Sequence, residues 1–163
     1  MKWFDNPQTL EDLKRQYKRL AMAHHPDKGG SVAEMQEINS EYDELFQLLK
    51  NTHKAASGET YTTSQENNES AADFREIINS LIRFDGLHIE ICGTWLWVSG
   101  DTKPHRDELK RLKFRWSNSK MAWYYHTSPY RKRGGKTLTL DEIRDLYGSE
   151  TVNQKPPLNL KIV

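Results

Sequence analysis

Two amphipathic segments joined by a short polar turn constrain the N-terminal third of the chain most strongly. The apolar residues of the first segment recur at three- and four-residue steps: Leu10, Leu13, Tyr17, Leu20, Ala21 and His24. Those of the second do the same: Met35, Ile38, Tyr42, Leu45 and Leu49. Because such steps place side chains on one face of an α-helix, each segment predicts a helix with one buried stripe.

Both predicted helices have a recognisable start. Thr9 and Asp12 have the spacing of a capping box, and Ser31 and Glu34 repeat that spacing before the second helix. In a capping box, the two side chains satisfy backbone N–H groups that the first turn of a helix leaves without partners. We therefore expect the first helix to begin after Thr9 and the second after Ser31.

The turn between the helices reads His25-Pro26-Asp27-Lys28-Gly29-Gly30. Pro26 ends the first helix, since the residue before a proline is pushed out of helical space, and the two glycines let the chain reverse. Two helices joined in this way form an antiparallel hairpin with His25, Pro26 and Asp27 at its tip. On the tripeptide alone, a polar loop that merely ends a helix is an equally good interpretation.

The whole arrangement of residues 1–54 resembles the J domain of DnaJ-type co-chaperones, and its Lys-Gly-Gly ending is most similar to the compact J domains of auxilin and the polyomavirus T antigens. The resemblance implies that His25, Pro26 and Asp27 stimulate the ATPase of a DnaK-type chaperone. It also implies that the positive side of the first helix docks on an acidic chaperone surface, through Lys14, Lys18 and Arg19.

The resemblance leads to two further expectations, one for the basic side of the first helix and one for the residues before the hairpin. We expect Lys14, Arg15 and Lys18 on the solvent side of the first helix, where an ordinary solvated helix face is the alternative to a docking surface. J domains also have a short helix in front of the hairpin. Here only a few residues precede Asn6-Pro7, and we expect Trp3 and Phe4 to fill that role in a shortened form.

Composition limits the remaining possibilities. A chain of 163 residues with 36% apolar residues fits two small cores and a linker. The single cysteine, Cys92, excludes an intrachain disulfide and a cysteine-based zinc site. No apolar stretch approaches the ~20 residues of a membrane span, and no signal-peptide pattern is seen. We therefore expect a cytoplasmic protein without a metal or other cofactor and without a membrane partner.

The rest of the chain is predicted to hold a linker, a second domain and a tail. Residues 55–70 are small and polar without periodicity, which is typical of a flexible linker, although a short extension of the second helix is the alternative. Residues 71–148 predict a small basic α+β domain, and residues 149–163 a C-terminal tail. The expected fold class is α+β, with an all-α hairpin first and then a domain of helices and two β-hairpins.

Capping residues and apolar alternation predict the helices and strands of the second domain. Helices are expected from Ser70, from Asp101 or Thr102 as a long helix, and from Thr139 to Tyr147. Alternating residues predict one hairpin around Cys92-Gly93 and another that pairs 114–116 with 122–125. The tryptophans of this domain all fall on predicted strands: Trp95, Trp97, Trp116 and Trp123. Some are expected in the core, but so small a domain should leave one or two partly exposed.

Positive charge is concentrated in the second domain. Residues 103–136 hold 11 basic and 2 acidic side chains. Basic groups beside an exposed aromatic ring can neutralise phosphates and stack on bases. The candidate nucleic-acid-binding residues are Lys113, Arg115, Trp116, Lys120, Arg131, Lys132, Arg133 and Lys136. For the run from Arg131 to Lys136, a solvated loop is an equally good interpretation.

The stretch Leu109–Tyr124 has a loose resemblance of its own. A helix ending in Leu-Lys, then Phe-Arg-Trp, a polar turn and Ala-Trp-Tyr, is similar to modules of phage and mobile-element proteins and to HARP-like domains, which are associated with DNA structure. The resemblance favours a nucleic-acid role for this domain.

These observations lead to one hypothesis and two rivals. The chain is expected to be a J-domain co-chaperone whose basic domain targets a DnaK-type ATPase to a complex containing DNA or RNA. The alternative is an adaptor whose second domain binds a protein client without nucleic acid. An enzyme is the third possibility, and the sequence offers it no convincing nucleophile, metal spacing or carboxylate cluster.

Overall fold

The structure is a computed structural model that describes residues 1–55, 57–63, 69–93, 95–126, 138–147 and 150–151. Its N-terminal part is the expected helical hairpin. Helix α1 spans Leu10–His24 and helix α2 spans Val32–Leu49. The Thr9 hydroxyl accepts a hydrogen bond from the Asp12 amide at 3.2 Å, which confirms the first cap. Ser31 precedes α2 as expected, but its side chain makes no capping hydrogen bond.

The segment after α2 differs from the irregular linker expected over 55–70. Strand β1, Thr52–Lys54, pairs antiparallel with strand β2, Thr60–Thr62. The reason is a contact between β1 and helix α1, which the local composition does not reveal. The buried Glu11 carboxylate of α1 lies 2.7 Å from His53 and accepts a hydrogen bond from the Lys54 amide at 3.3 Å. Residues 64–68 lie outside the described residues, and the proposed domain boundaries stay a prediction.

Within the described residues, the C-terminal part contains three further α-helices and five strands. The helices are α3, Ala71–Ile82; α4, Arg106–Arg111; and α5, Leu140–Tyr147. The strands are β3, Leu87–Cys92; β4, Trp95–Gly100; β5, Arg115–Ser117; β6, Ala122–Tyr125; and β7, Glu150–Thr151. Capping boxes precede α3 and α5, which begin after Ser70 and Thr139 as expected. The mixed fold predicted from the sequence is therefore confirmed.

Two elements differ from the expectation. The long helix after Thr102 is only six residues, α4, preceded by a 3-10 turn at Lys103–His105 that contains Pro104. It ends where Lys113 takes a left-handed backbone conformation with φ 67°. Residues 150–151, assigned to the tail, form strand β7, which pairs with the middle of β3; the tail beyond them lies outside the described residues.

The five strands form one antiparallel sheet in the order β5-β6-β4-β3-β7. Alternate residues of its strands face opposite sides. One side, which includes Ile89, Leu96 and Val98, packs on α3 and on the helical hairpin. The other side carries Trp95 and Trp97, whose rings stack with centroids 5.7 Å apart. The two tryptophans therefore share a face, as the alternation predicts.

One hydrophobic core joins the hairpin to the C-terminal part. Phe74 of α3 packs its ring 6.1 Å from that of Tyr17 and 6.0 Å from that of Tyr42. The N-terminal residues close the other end, because Phe4 is buried against Tyr42 while the Trp3 ring meets His24 edge-on. Trp3 and Phe4 thus occupy the position expected of them without forming a helix. In the described ranges, no helix has the length and apolar character needed to cross a membrane.

The shared core predicts a large cost for removing a side chain from α3. Leu81 is completely buried, whereas Leu48 on α2 is 76% exposed. Replacing a buried leucine by alanine costs about 2–5 kcal/mol because apolar contact is lost and a cavity remains. We expect Leu81→Ala to lower the free energy of unfolding by that amount in chemical denaturation. The matched Leu48→Ala change should cost less than about 0.5 kcal/mol, and equal costs would contradict the placement of α3.

Candidate chaperone-binding site

The His-Pro-Asp turn is held in a defined shape by its own backbone. Helix α1 ends at His24, and Pro26–Lys28 form a 3-10 turn. The His25 carbonyl accepts hydrogen bonds from the amides of Lys28 and Gly30, both at 2.9 Å. The site of a Cβ atom on Gly30 lies only 1.9 Å from the His24 carbonyl oxygen, so no other residue fits there without moving the backbone. The backbone of the turn therefore holds its residues in one defined conformation.

His25 acts inside this turn as a buried acceptor. Its side chain is mostly buried, and its Nδ1 accepts a hydrogen bond from the Asp27 amide at 3.2 Å. This bond places the proton of the neutral ring on Nε2. Burial lowers the pKa of His25 below its usual value, with smaller contributions from Arg83 and Lys28, although the nearby Asp27 carboxylate opposes the shift. Neutral His25 is thus part of the structure of the turn.

Pro26 and Asp27 are the exposed part of the tip. The Asp27 carboxylate accepts a hydrogen bond from Nε of Arg83, just after α3, at 3.1 Å. Beside it, Nζ of Lys28 donates to Asp85 at 3.0 Å. The three residues predicted to act together therefore lie at one tip, where the turn forms two ion pairs with residues that follow α3.

The basic side of α1 is not where the sequence placed it. We expected Lys14 and Lys18 on the solvent side, and this is wrong: both are buried, Lys18 completely. Lys14 forms an ion pair with Glu69 and lies 4.9 Å from the centre of the Phe74 ring. Nζ of Lys18 donates a hydrogen bond to the Ile89 carbonyl of β3 at 2.6 Å. The C-terminal part covers this side, whereas Arg19 is exposed on α1.

The candidate nucleic-acid-binding residues are only partly brought together. Arg115 and Trp116 lie on the edge strand β5, and Trp116 is 40% exposed with its Nε1 donating to Asn118 at 2.7 Å. Lys120 places its ammonium 5.7 Å from the centre of the Trp97 ring. Lys113 is exposed at the end of α4. The remaining candidates lie outside the described residues: Arg131, Lys132, Arg133 and Lys136.

The sequence patterns do not reveal the residues of the C-terminal part that approach the helical hairpin. They are Glu69, Arg83 and Asp85, and their partners lie between 55 and 57 positions away in the chain. Glu69 falls within residues 55–70, which the sequence predicts as a linker. Local periodicity carries no signal for such pairings. Among the described residues, no cluster of His, Cys, Asp and Glu could hold a metal ion.

Comparison with known proteins supports the J-domain interpretation at the level of the family. The chain is 36% identical over 67 residues to "Chaperone protein DnaJ" of Mycoplasmopsis pulmonis. The match covers 39% of this chain but only 17% of that protein. The helices α1 and α2 fit a J domain, and the similarity supports a J-domain co-chaperone. No family model matches the chain, and no solved structure matches it. Nothing in these comparisons supports the HARP-like resemblance.

The buried His25 predicts a pH dependence of stability. Its pKa is lower in the folded chain than in the unfolded one, so the unfolded state takes up the proton first as pH falls. The stability that neutral His25 contributes is present above about pH 6.5 and is lost below that value. We expect His25→Asn, which cannot titrate, to flatten the fall in unfolding free energy between about pH 7.5 and 5. An unchanged slope would contradict the burial of His25.

Asparagine keeps an acceptor for the Asp27 amide and alanine does not. At pH well above neutral, His25→Ala should therefore be less stable than His25→Asn by about 0.5–1.5 kcal/mol, the net value of one hydrogen bond. This comparison separates the titration of the ring from its role in the turn.

Proposed function

We propose that this chain is a co-chaperone that stimulates a DnaK-type ATPase through the turn His25-Pro26-Asp27. The observation that carries the proposal is the ordered turn, which exposes Pro26 and Asp27 at the tip of the hairpin while His25 braces it from inside. The similarity to DnaJ supports the same function. Arg19, exposed on α1, is a further candidate contact with an acidic chaperone surface. We place this function in the cytoplasm, and we propose binding and not catalysis as the chain's own activity.

A conservative change at the tip tests the proposal. Asp27→Asn removes one charge from an exposed side chain, so folding should be preserved. We expect it to reduce stimulation of a DnaK-type ATPase by at least about tenfold, since charge-assisted contacts across an interface are worth about 1.5–3 kcal/mol. Asp107→Asn is the matched control on α4, where the side chain is exposed. Full stimulation by a folded Asp27→Asn protein would overturn the proposal.

The C-terminal part supplies the targeting function in this proposal. Its excess of positive charge and the exposed Trp116 beside Arg115 favour a nucleic acid as the partner. Cations provide affinity that any sequence shares, and an exposed ring adds stacking on unpaired bases. The second candidate, an adaptor for a protein client, rests on the same basic surface meeting an acidic protein.

Salt and strand dependence separate these two targeting functions. Affinity of the full chain for DNA should fall by roughly 0.7–0.9 log units per log unit of salt for each phosphate neutralised. Arg115→Gln should reduce that slope by roughly 0.7–0.9, the contribution of one neutralised phosphate. Trp116→Ala should weaken binding to single strands about five- to 150-fold, because stacking is worth about 1–3 kcal/mol per base. It should leave the salt slope unchanged.

Tyr61→Ala is the matched control for the aromatic change, because Tyr61 is also exposed but lies on the separate β1–β2 sheet. It should leave affinity unchanged. If the folded chain binds neither DNA nor RNA at about 50 mM salt, where electrostatic binding is strong, the adaptor function replaces the nucleic-acid one.

A further inference from the structure

The surface through which a J domain is expected to dock is already occupied in this chain. We define the docking face as Lys14, Lys18 and the exposed tip Pro26-Asp27. The two lysines have the acceptors that an acidic partner would otherwise offer, a carboxylate from Glu69 and the backbone carbonyl of Ile89. Lys18 has no exposed surface, so its ammonium cannot reach a second protein while β3 lies over it.

The tip of the docking face is approached from the same side. Arg83 holds the Asp27 carboxylate, and Asp85 pairs with Lys28 one residue further along the turn. Both C-terminal partners follow α3, which packs on α1 and α2 through Phe74. Buried lysines on α1 and exposed pairs at the turn therefore belong to one continuous contact between the C-terminal part and the docking face.

We propose that the C-terminal part covers the docking face of its own J hairpin, so that stimulation of the chaperone requires this contact to open. The inference rests on the proposed function, whose site it regulates. In the closed arrangement Arg83 competes with any partner for Asp27, and Glu69 and Ile89 compete for the lysines. Asp27 and the two lysines can each hold only one set of partners at a time, so binding of the chaperone and closure exclude each other.

The contact has the properties of a reversible one. At its edge, the side chains of Arg83 and Asp85 are 65% and 76% exposed, and exposed ion pairs contribute little to stability. At its centre, the attraction between Lys14 and Glu69 is offset by the cost of removing both charges from water. The shared hydrophobic core, which includes the contacts of Phe74 with the two tyrosines, favours closure. A partner that binds only the open form therefore shifts the equilibrium from the closed form toward the open one.

Reversing the charges at the edge should favour opening. Arg83→Glu combined with Asp85→Lys places like charges opposite Asp27 and Lys28 without changing the docking face itself. Both positions are exposed, so the fold should be preserved. Replacing two attractions by two repulsions should lower the concentration needed for half-maximal ATPase stimulation by roughly three- to tenfold. Arg106→Glu with Asp107→Lys is the charge-matched control on the exposed side of α4 and should match the wild type.

A covalent lock tests the opposite direction. Nε of Arg75 on α3 lies 3.0 Å from Oδ1 of Asp43 on α2, on a side of the hairpin away from the tip. The full chain with Asp43→Cys and Arg75→Cys is bridged by a short flexible bis-maleimide. Because α3 and β3 share one core, the bridge should hold β3 over Lys18 and reduce stimulation at least about tenfold below that of the same protein before bridging. Wild type treated with the reagent controls for modification of the buried Cys92.

The outcomes distinguish this inference from the function on which it rests. Enhanced stimulation by the edge variant together with loss in the bridged protein supports the covering contact. If the wild type stimulates and the bridged protein stimulates equally well, the inference is wrong and the proposed function stands. If no form stimulates, the edge variant included, the proposed function itself fails. A direct readout accompanies these assays: acylation of Lys18 by an amine reagent should be slow in the wild type and faster in the edge variant.

Discussion

The packing of three aromatic rings is the interaction on which the rest of the molecule depends. Tyr17 and Tyr42 face each other with ring centroids 4.4 Å apart, and Phe74 lies about 6 Å from both. One ring comes from each of α1, α2 and α3, and each ring is buried. The trio therefore closes the hairpin of α1 and α2 and attaches the C-terminal part to it in the same place. Large rings at such a junction contribute both buried area and favourable ring geometry.

The sequence predicted those parts of the fold that depend on near neighbours. The start of α1 at Thr9, the capping box of α3 and the alternation of β3 with β4 all follow from residues within a few positions of each other. The face shared by Trp95 and Trp97 belongs to the same class. In these elements the residue pattern and the local hydrogen bonds favour the same structure, so nearby residues are enough to predict it.

The sequence failed where the deciding partner lies far along the chain. A charged stripe made of Glu11, Lys14 and Lys18 is usually the solvated side of a helix, yet here it is a second buried side of α1. Its partners are His53, Glu69 and the Ile89 carbonyl. Strand β7 was missed for a different reason, since its two residues are too few to show a period. The tip of the turn was predictable, but the ion pair that Asp27 makes with Arg83 was not.

The separation along the chain between Lys18 and its acceptor also sets a delay during protein synthesis. The Ile89 carbonyl that covers the Lys18 ammonium is 71 residues downstream. At typical synthesis rates of about 5–20 residues per second, the ribosome adds that stretch in roughly 4 to 14 seconds. The helical hairpin leaves the ribosome first and stays uncovered during that interval. A nascent copy therefore presents its basic helix openly before the finished molecule closes over it.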